Sequence, residues 1–415
     1  MTMVQHLGAR VGAFVARGAQ SNTGAALLRR LAPSALLATI LLPVIGVASY
    51  GLAGIAENDG IPGEYPLFGP AGANLITGHW RAVFENSKVQ AGPFELLPYG
   101  VARVLHIHGD AQWFAFYIVM LWMMTFLLSL VLMLPLGRVT GRIGFLIPVL
   151  VLGVSLIGAF TPTAVVRAHL AEVMAPLLWI VAGCLARDRL FAAAGVVIGL
   201  SAGFEVWGVL GAPVILLATS PRLVRAAIGA VLAAAVIYLP FVLTGIFRMF
   251  DFQWGVRLGT LYRDLWPQLD SFPWTLRVAQ ALLALAAGCI VAVLLRKSMY
   301  GIWLAPMAIL TVRLVFDPLI FFYYWMAPAT VALCALAVTL YLRAWIPAAI
   351  AAGVIAWLWL PPADPLLSAI LMALLTAACV AALRVAGARK PTLLLPPGGA
   401  FAPARAGANA PSGGK

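Results

Sequence analysis

Long apolar runs recur along almost the whole chain, separated by short polar stretches. They lie near residues 35–56, 112–135, 143–160, 171–186, 190–204, 206–219, 224–246, 276–295, 300–316, 321–341, 345–360 and 366–386, twelve in all. A helix of about 20 apolar residues matches the ~30 Å hydrocarbon core of a bilayer. The pattern therefore predicts an all-α polytopic membrane protein with twelve spans. The runs at 190–204 and 206–219 are short for that thickness and predict a hairpin of half-length helices. The stretch 92–109, GPFELLPYGVARVLHIHG, is also apolar, but it is short and has Pro98 and Arg103 in its middle.

Charge decides how that stretch is placed. If it crossed the membrane, Arg138 and Arg142 would fall outside; if it is re-entrant or interfacial, they fall inside, as basic loops do. With the second choice, eighteen of the 27 basic residues and one of the 14 acids, Asp188, lie on the cytoplasmic side. Nearly every carboxylate then lies outside. Both termini are predicted to be cytoplasmic: a segment 1–33 bearing Arg10, Arg17, Arg29 and Arg30, and a disordered Pro/Gly/Ala-rich tail, 387–415. Between them, 34–386 forms the membrane domain, with a first external loop at 56–111.

Composition removes other classes. With 63% hydrophobic and 10% charged residues, the 415-residue chain is no soluble domain, and its net charge of +13 reads as positive-inside bias, so nucleic acid is not a partner. Four cysteines, Cys184, Cys289, Cys334 and Cys379, sit in apolar runs without ligand spacing and read as small hydrophobes. No phosphate loop, dinucleotide fingerprint, HExxH or Asp-x-Asp pair occurs.

The unusual residues fall in four external segments: the opening loop, with 56–95 as the longest polar interruption, and 161–172, 247–274 and 313–325. Charges at span ends face a cavity or one another, which singles out Arg167, Glu172, Glu205, Arg313 and Asp317. The competing reading is a set of ion pairs that holds helix ends together. His169 and Glu172, three apart, share a helical face; Asp317 precedes Pro318 and the pair Tyr323 and Tyr324. Lys88 and Gln90 flank the Gly92-Pro93 break and are, with Arg81, further candidate substrate contacts, and Trp207 joins Glu205 in GFEVWG. His106 and His108 read as interfacial, and Trp254, Trp266 and Trp274 as headgroup anchors. A carboxylate takes the proton of an attacking hydroxyl, arginine neutralises a leaving phosphate, and aromatic faces stack on sugar rings. Such a set beside the lipid suits a substrate that is half lipid.

The segments EYPLFGPAGANLITG (64–78), VQAGPFELL (89–97), 168–217 and FDPLIFFYYW (316–325) resemble the polyprenyl-phosphate-dependent glycosyltransferases of the GT-C fold, family 87, the actinobacterial mannosyltransferase-like group. The resemblance is loose in its motifs and extends over roughly residues 30–385. It implies a GT-C-like bundle in a bacterial plasma membrane. The implied donor is a hexose, mannose by family, on a polyprenyl phosphate, and the acceptor is a glycolipid or polysaccharide. In that group an acid of the first external loop is the base, which falls on Glu64, with Asp59 in reserve. The family acid is usually Asp, and where the family carries a lipid-phosphate Lys this chain has Glu205, so the phosphate passes to Arg257, Arg263 or Arg313. No ligand cluster implies a metal, although a divalent cation is compatible with the chemistry. Two other classes share the pattern: a secondary transporter or lipid flippase, and a non-catalytic scaffold of the same fold.

Overall fold

The computed structural model describes residues 65–107, 169–359 and 364–389. The predicted first span, those at 112–135 and 143–160, His108 and the C-terminal tail beyond Arg389 lie outside the described residues; the first three residues of the predicted tail, 387–389, continue the last helix. The described part is helical. Four of its helices are long and apolar enough to cross a membrane, Leu223–Thr244, Trp274–Leu294, Tyr323–Leu340 and Pro365–Ala386, and together they mark a membrane protein. Four shorter apolar helices accompany them.

The opening loop holds more structure than its polarity predicts. Helix α1, Tyr65–Ile76, occupies part of the segment expected to be loop. Tyr65, Phe68, Ala71 and Gly72 recur at helical spacing and bury one face, which the surrounding Gly, Pro and Asn obscure in the sequence. Helix α2, Pro93–Val104, begins with Pro at its first position, where a missing N–H costs nothing. Its twelve residues rise about 18 Å, too little for a full crossing. The two helices cross at Gly72 and Gly100, where a Cβ on either would overlap the other's backbone.

This hairpin is fastened to the bundle by backbone. Gly92 N–H donates to the Phe204 carbonyl at 2.6 Å, Phe94 N–H donates to the Gly203 carbonyl at 2.8 Å, and Ala91 bridges Glu205. A Cβ on Gly92 would overlap the Gly203 carbonyl and stand 2.7 Å from the Tyr238 hydroxyl. Gly92→Ala is therefore expected to cost about 1–3 kcal/mol, read as a lowered unfolding temperature of the purified chain in detergent. An unchanged melting curve would mean that the docking is loose.

Helix α3, Ala171–Arg187, is followed by α4, Phe191–Ala202, and α5, Leu223–Thr244. Helices α4 and α5 run parallel, drawn together at Gly195 and Gly199, where Cβ atoms would meet the Ala226 carbonyl and the Ala233 Cβ. Such small-xxx-small spacing lets membrane helices approach closely where hydrophobic force between them is absent. Between α4 and α5 the chain winds as a 3₁₀ helix, Val206–Leu217, long for that type. At three residues per turn, Gly208, Gly211, Val214 and Leu217 stay in one row. At 3.6 residues per turn Leu217 would swing to the opposite side. The row lies against α3, where Gly211 has no room for a Cβ beside the Trp179 ring and Gly183 faces Leu217 and Val214. Trp179 Nε1 and Ser201 Oγ both donate to the Gly208 carbonyl at 2.8 Å. The predicted half-length hairpin is thus one α-helix and one 3₁₀ helix. Twelve 3₁₀ residues reach about 24 Å, further than the same residues would as α-helix.

A polar connection follows α5, with a two-stranded hairpin pairing β1, Trp254–Gly255, and β2, Ser271–Phe272. Then come α6, Trp274–Leu294; α7, Gly301–Val315; α8, Met326–Tyr341; α9, Trp345–Trp359; and α10, Pro365–Arg389. The connections alternate between two ends. At one end Arg187 Nη2 donates to the Arg296 carbonyl at 3.4 Å and Arg384 Nη1 to the Leu294 carbonyl at 3.2 Å, so arginines cap the last turn of α6. The carboxylates Glu95, Glu172, Glu205 and Asp317 gather at the other.

Candidate functional site

That second end is built where four helix termini converge. Glu172 stands in the first turn of α3 and Arg313 in the last turn of α7. Arg313 holds both Glu172 oxygens, Nη1 to Oε2 and Nη2 to Oε1, each at 3.2 Å. Both side chains are buried, at 8% and 1% exposure. The Arg313 guanidinium lies 4.0 Å from the ring centre of Trp207 and 5.0 Å from that of Tyr324. Planar stacking of this kind suits arginine rather than lysine.

A second node lies one helix away. Arg277 and Gln280, in the first turns of α6, meet Asp317 just past the end of α7. Arg277 Nη1 donates to Gln280 Oε1 at 2.8 Å and to Asp317 Oδ2 at 3.4 Å; Gln280 Nε2 donates to Asp317 Oδ2 at 3.3 Å and to the Arg313 carbonyl at 2.9 Å. Asp317 Oδ1 accepts the Leu319 N–H at 3.0 Å. This short turn also carries Ile320 at φ +29°, a conformation that a β-branched residue rarely adopts. Arg277 stacks over Trp254 at 4.3 Å and Phe272 at 5.1 Å. Among the described residues, its Nε is buried without a hydrogen-bond partner, as is Trp274 Nε1.

Between the nodes opens a cavity of about 180 Å³. Trp207, Trp254, Trp274, Tyr324 and Phe250 supply aromatic walls, and Gln90, Glu205, Arg277, Gln280 and Arg313 supply polar groups. Val209 and Val278, also lining it, are 41% and 53% exposed, so its lip is apolar and faces outward between the 3₁₀ helix and α6. Gln90 Nε2 donates to the Ser87 and Met249 carbonyls at 2.6 and 2.7 Å, tying the opening segment to the 245–273 connection beside the cavity. Glu95 is buried behind it, accepting the Ala171 N–H at 3.3 Å and so serving the open start of α3.

The structure gathers Gln90, Glu205, Trp207, Arg313 and Tyr324 around one space, with Glu172 and Asp317 as partners of its arginines. Asp317, expected at a cavity mouth, is instead fully buried in its node, where two side-chain donors and a backbone N–H hold it. His169, Tyr323 and Arg257 form an adjoining column. His169 stacks on Tyr323 at 3.6 Å, Tyr323 on Phe321 at 5.3 Å, and Arg257 covers Phe321 at 5.0 Å. Arg263 turns away to Asp270 at 2.9 Å on the exposed hairpin, and Arg81 and Lys88 are exposed and do not line the cavity. Glu64, Asp59 and Arg167 lie outside the described residues.

Three residues of the site escape the sequence reading: Arg277, Gln280 and Glu95. Arg277 and Gln280 are three apart at the end of a span, the same signal that marks His169 and Glu172. Trp254 and Trp274, expected as headgroup anchors, line the cavity and pack edge to face at 5.4 Å. Among the described residues no three His, Cys, Asp or Glu side chains converge as a metal shell. Compared with family models, with curated proteins and with solved structures, the chain matches none.

Proposed function

We propose that the protein is a polyprenyl-phosphate-dependent glycosyltransferase. In this reading it moves a hexose, mannose on the resemblance, to a glycolipid or polysaccharide acceptor at the external face of a bacterial plasma membrane. The described helices would be part of a GT-C-like bundle of twelve spans with cytoplasmic termini. The observation that carries the reading is the cavity itself. Aromatic rings and a carboxylate, amides and guanidiniums are the complement of a sugar ring, two arginines suit a phosphate, and an apolar lip suits a polyprenyl chain.

The break between α4 and the 3₁₀ helix, with an ionisable residue at it, is a feature also found in secondary transporters, the second reading. In transporters such breaks sit near the middle of the membrane, whereas this one is level with the ends of α3, α6 and α7. The two readings separate in proteoliposomes holding the full chain and radiolabelled polyprenyl-phosphate mannose, with octyl α-mannoside added outside. Transferase activity places label in a dimannoside. Counterflow of labelled substrate with no new covalent product would replace this reading by transport.

A further inference from the structure

Among the described residues, the cavity end carries more carboxylate than its arginines balance. Glu95, Glu172, Glu205 and Asp317 face two guanidiniums, Arg277 and Arg313. Three of the four have structural work: Glu95 at the start of α3, Glu172 under the fork of Arg313, Asp317 under Arg277, Gln280 and a backbone N–H. Among the described residues, Glu205 forms no ion pair and is the one carboxylate that lines the cavity. Its backbone is held where α4 gives way to the 3₁₀ helix, by the bridge to Ala91 and the bond from Gly92 to Phe204. A carboxylate on a fixed backbone, near two arginines and Trp207 and in an ion pair with neither arginine, is equipped to receive a proton within reach of a phosphate.

We infer that Glu205 is the proton acceptor of the transfer reaction. This rests on the glycosyltransferase reading and moves the base from the loop acid Glu64 to a residue of the cavity wall. The acceptor hydroxyl oxygen forms a bond to C1 of the hexose while the bond from C1 to the phosphate oxygen breaks. The hydroxyl proton passes to the Glu205 carboxylate. Polyprenyl phosphate leaves with the bonding electron pair, its charge met by Arg277 and Arg313. No oxidant or further reactant is needed.

The test uses the full chain in proteoliposomes with polyprenyl-phosphate mannose and octyl α-mannoside. Glu205→Gln is expected to lower kcat by about 10²–10⁴-fold, with KM for the donor within about threefold of wild type. In Glu205→Ala, azide is expected to restore donor turnover with glycosyl azide as product, because azide attacks C1 without releasing a proton. A residue that only supports the fold gives no such rescue. Glu205→Asp keeps the charge but withdraws the carboxylate by one methylene, and a tenfold or greater drop in kcat at unchanged KM is expected. If the Gln and Ala chains do not fold, that variant decides alone. Wild-type kcat in Glu205→Gln or Glu205→Asp, a loss confined to KM, or loss of kcat in Glu64→Gln with none at Glu205 overturns the inference and leaves the transferase reading standing. A wild-type chain that transfers mannose neither to octyl α-mannoside nor to water removes both.

Discussion

Arg313→Met is expected to destabilise the protein by about 3–5 kcal/mol, the largest loss from any single substitution at the cavity end. Glu172 is 1% exposed and both its oxygens depend on Arg313. Without the guanidinium a charge stays buried among apolar helices, and Trp207 and Tyr324 lose the plane on which they stack. The pair itself is a different matter, since replacing both members of a buried ion pair by apolar residues of similar size is often neutral. The double variant Arg313→Met, Glu172→Met is therefore expected to regain most of the loss. Unfolding temperatures of the three chains in the same detergent check this. Equal destabilisation by the single and double variants would show that the contribution of Arg313 lies in its stacking on Trp207 and Tyr324 and not in its ion pair with Glu172.

Arg277→Lys is expected to leave the fold intact and to lower kcat/KM for the polyprenyl-phosphate donor by about 10²-fold. Asp317 would keep a nearby positive charge as well as its bonds from Gln280 and the Leu319 N–H. What disappears is the planar fork: the stacking on Trp254, and the Nε donor that has no partner among the described residues. An unpartnered guanidinium donor beside a cavity is what a phosphate oxygen requires. Transfer kinetics with the labelled donor, beside a melting curve, separate the two roles. Wild-type kinetics in Arg277→Lys would reduce Arg277 to a structural cation for Asp317.

These contrasts show what the amino-acid pattern could carry. Helix positions from Ala171 to Arg389 follow the apolar runs closely, because a span of fixed thickness dictates its own length. The separation of basic and acidic ends follows from charge alone. Helix α1 is hidden because its buried face is built partly of glycine, which has no side chain to register as hydrophobic. The 3₁₀ winding is hidden because it answers to a tertiary fit, the row of Gly208, Gly211, Val214 and Leu217 against Trp179 and Gly183. At the site, Glu172, Arg313 and Asp317 announce themselves as charges at span ends, yet their pairing does not, since the residues of each ion pair are far apart in the chain. Trp254 and Trp274 are misread because an aromatic in an interfacial loop has the same sequence signature whether it meets lipid or lines a cavity.

A phosphate carrying a polyprenyl chain would sit in the space between Arg277 and Arg313. An experimental structure of the full chain with polyprenyl phosphate tests that most directly. The phosphate is expected within hydrogen-bond distance of the Arg277 guanidinium, with the chain leaving between Val209 and Val278. Phosphate density bound elsewhere, with this cavity unchanged, would show that Arg277 and Arg313 do not hold the phosphate.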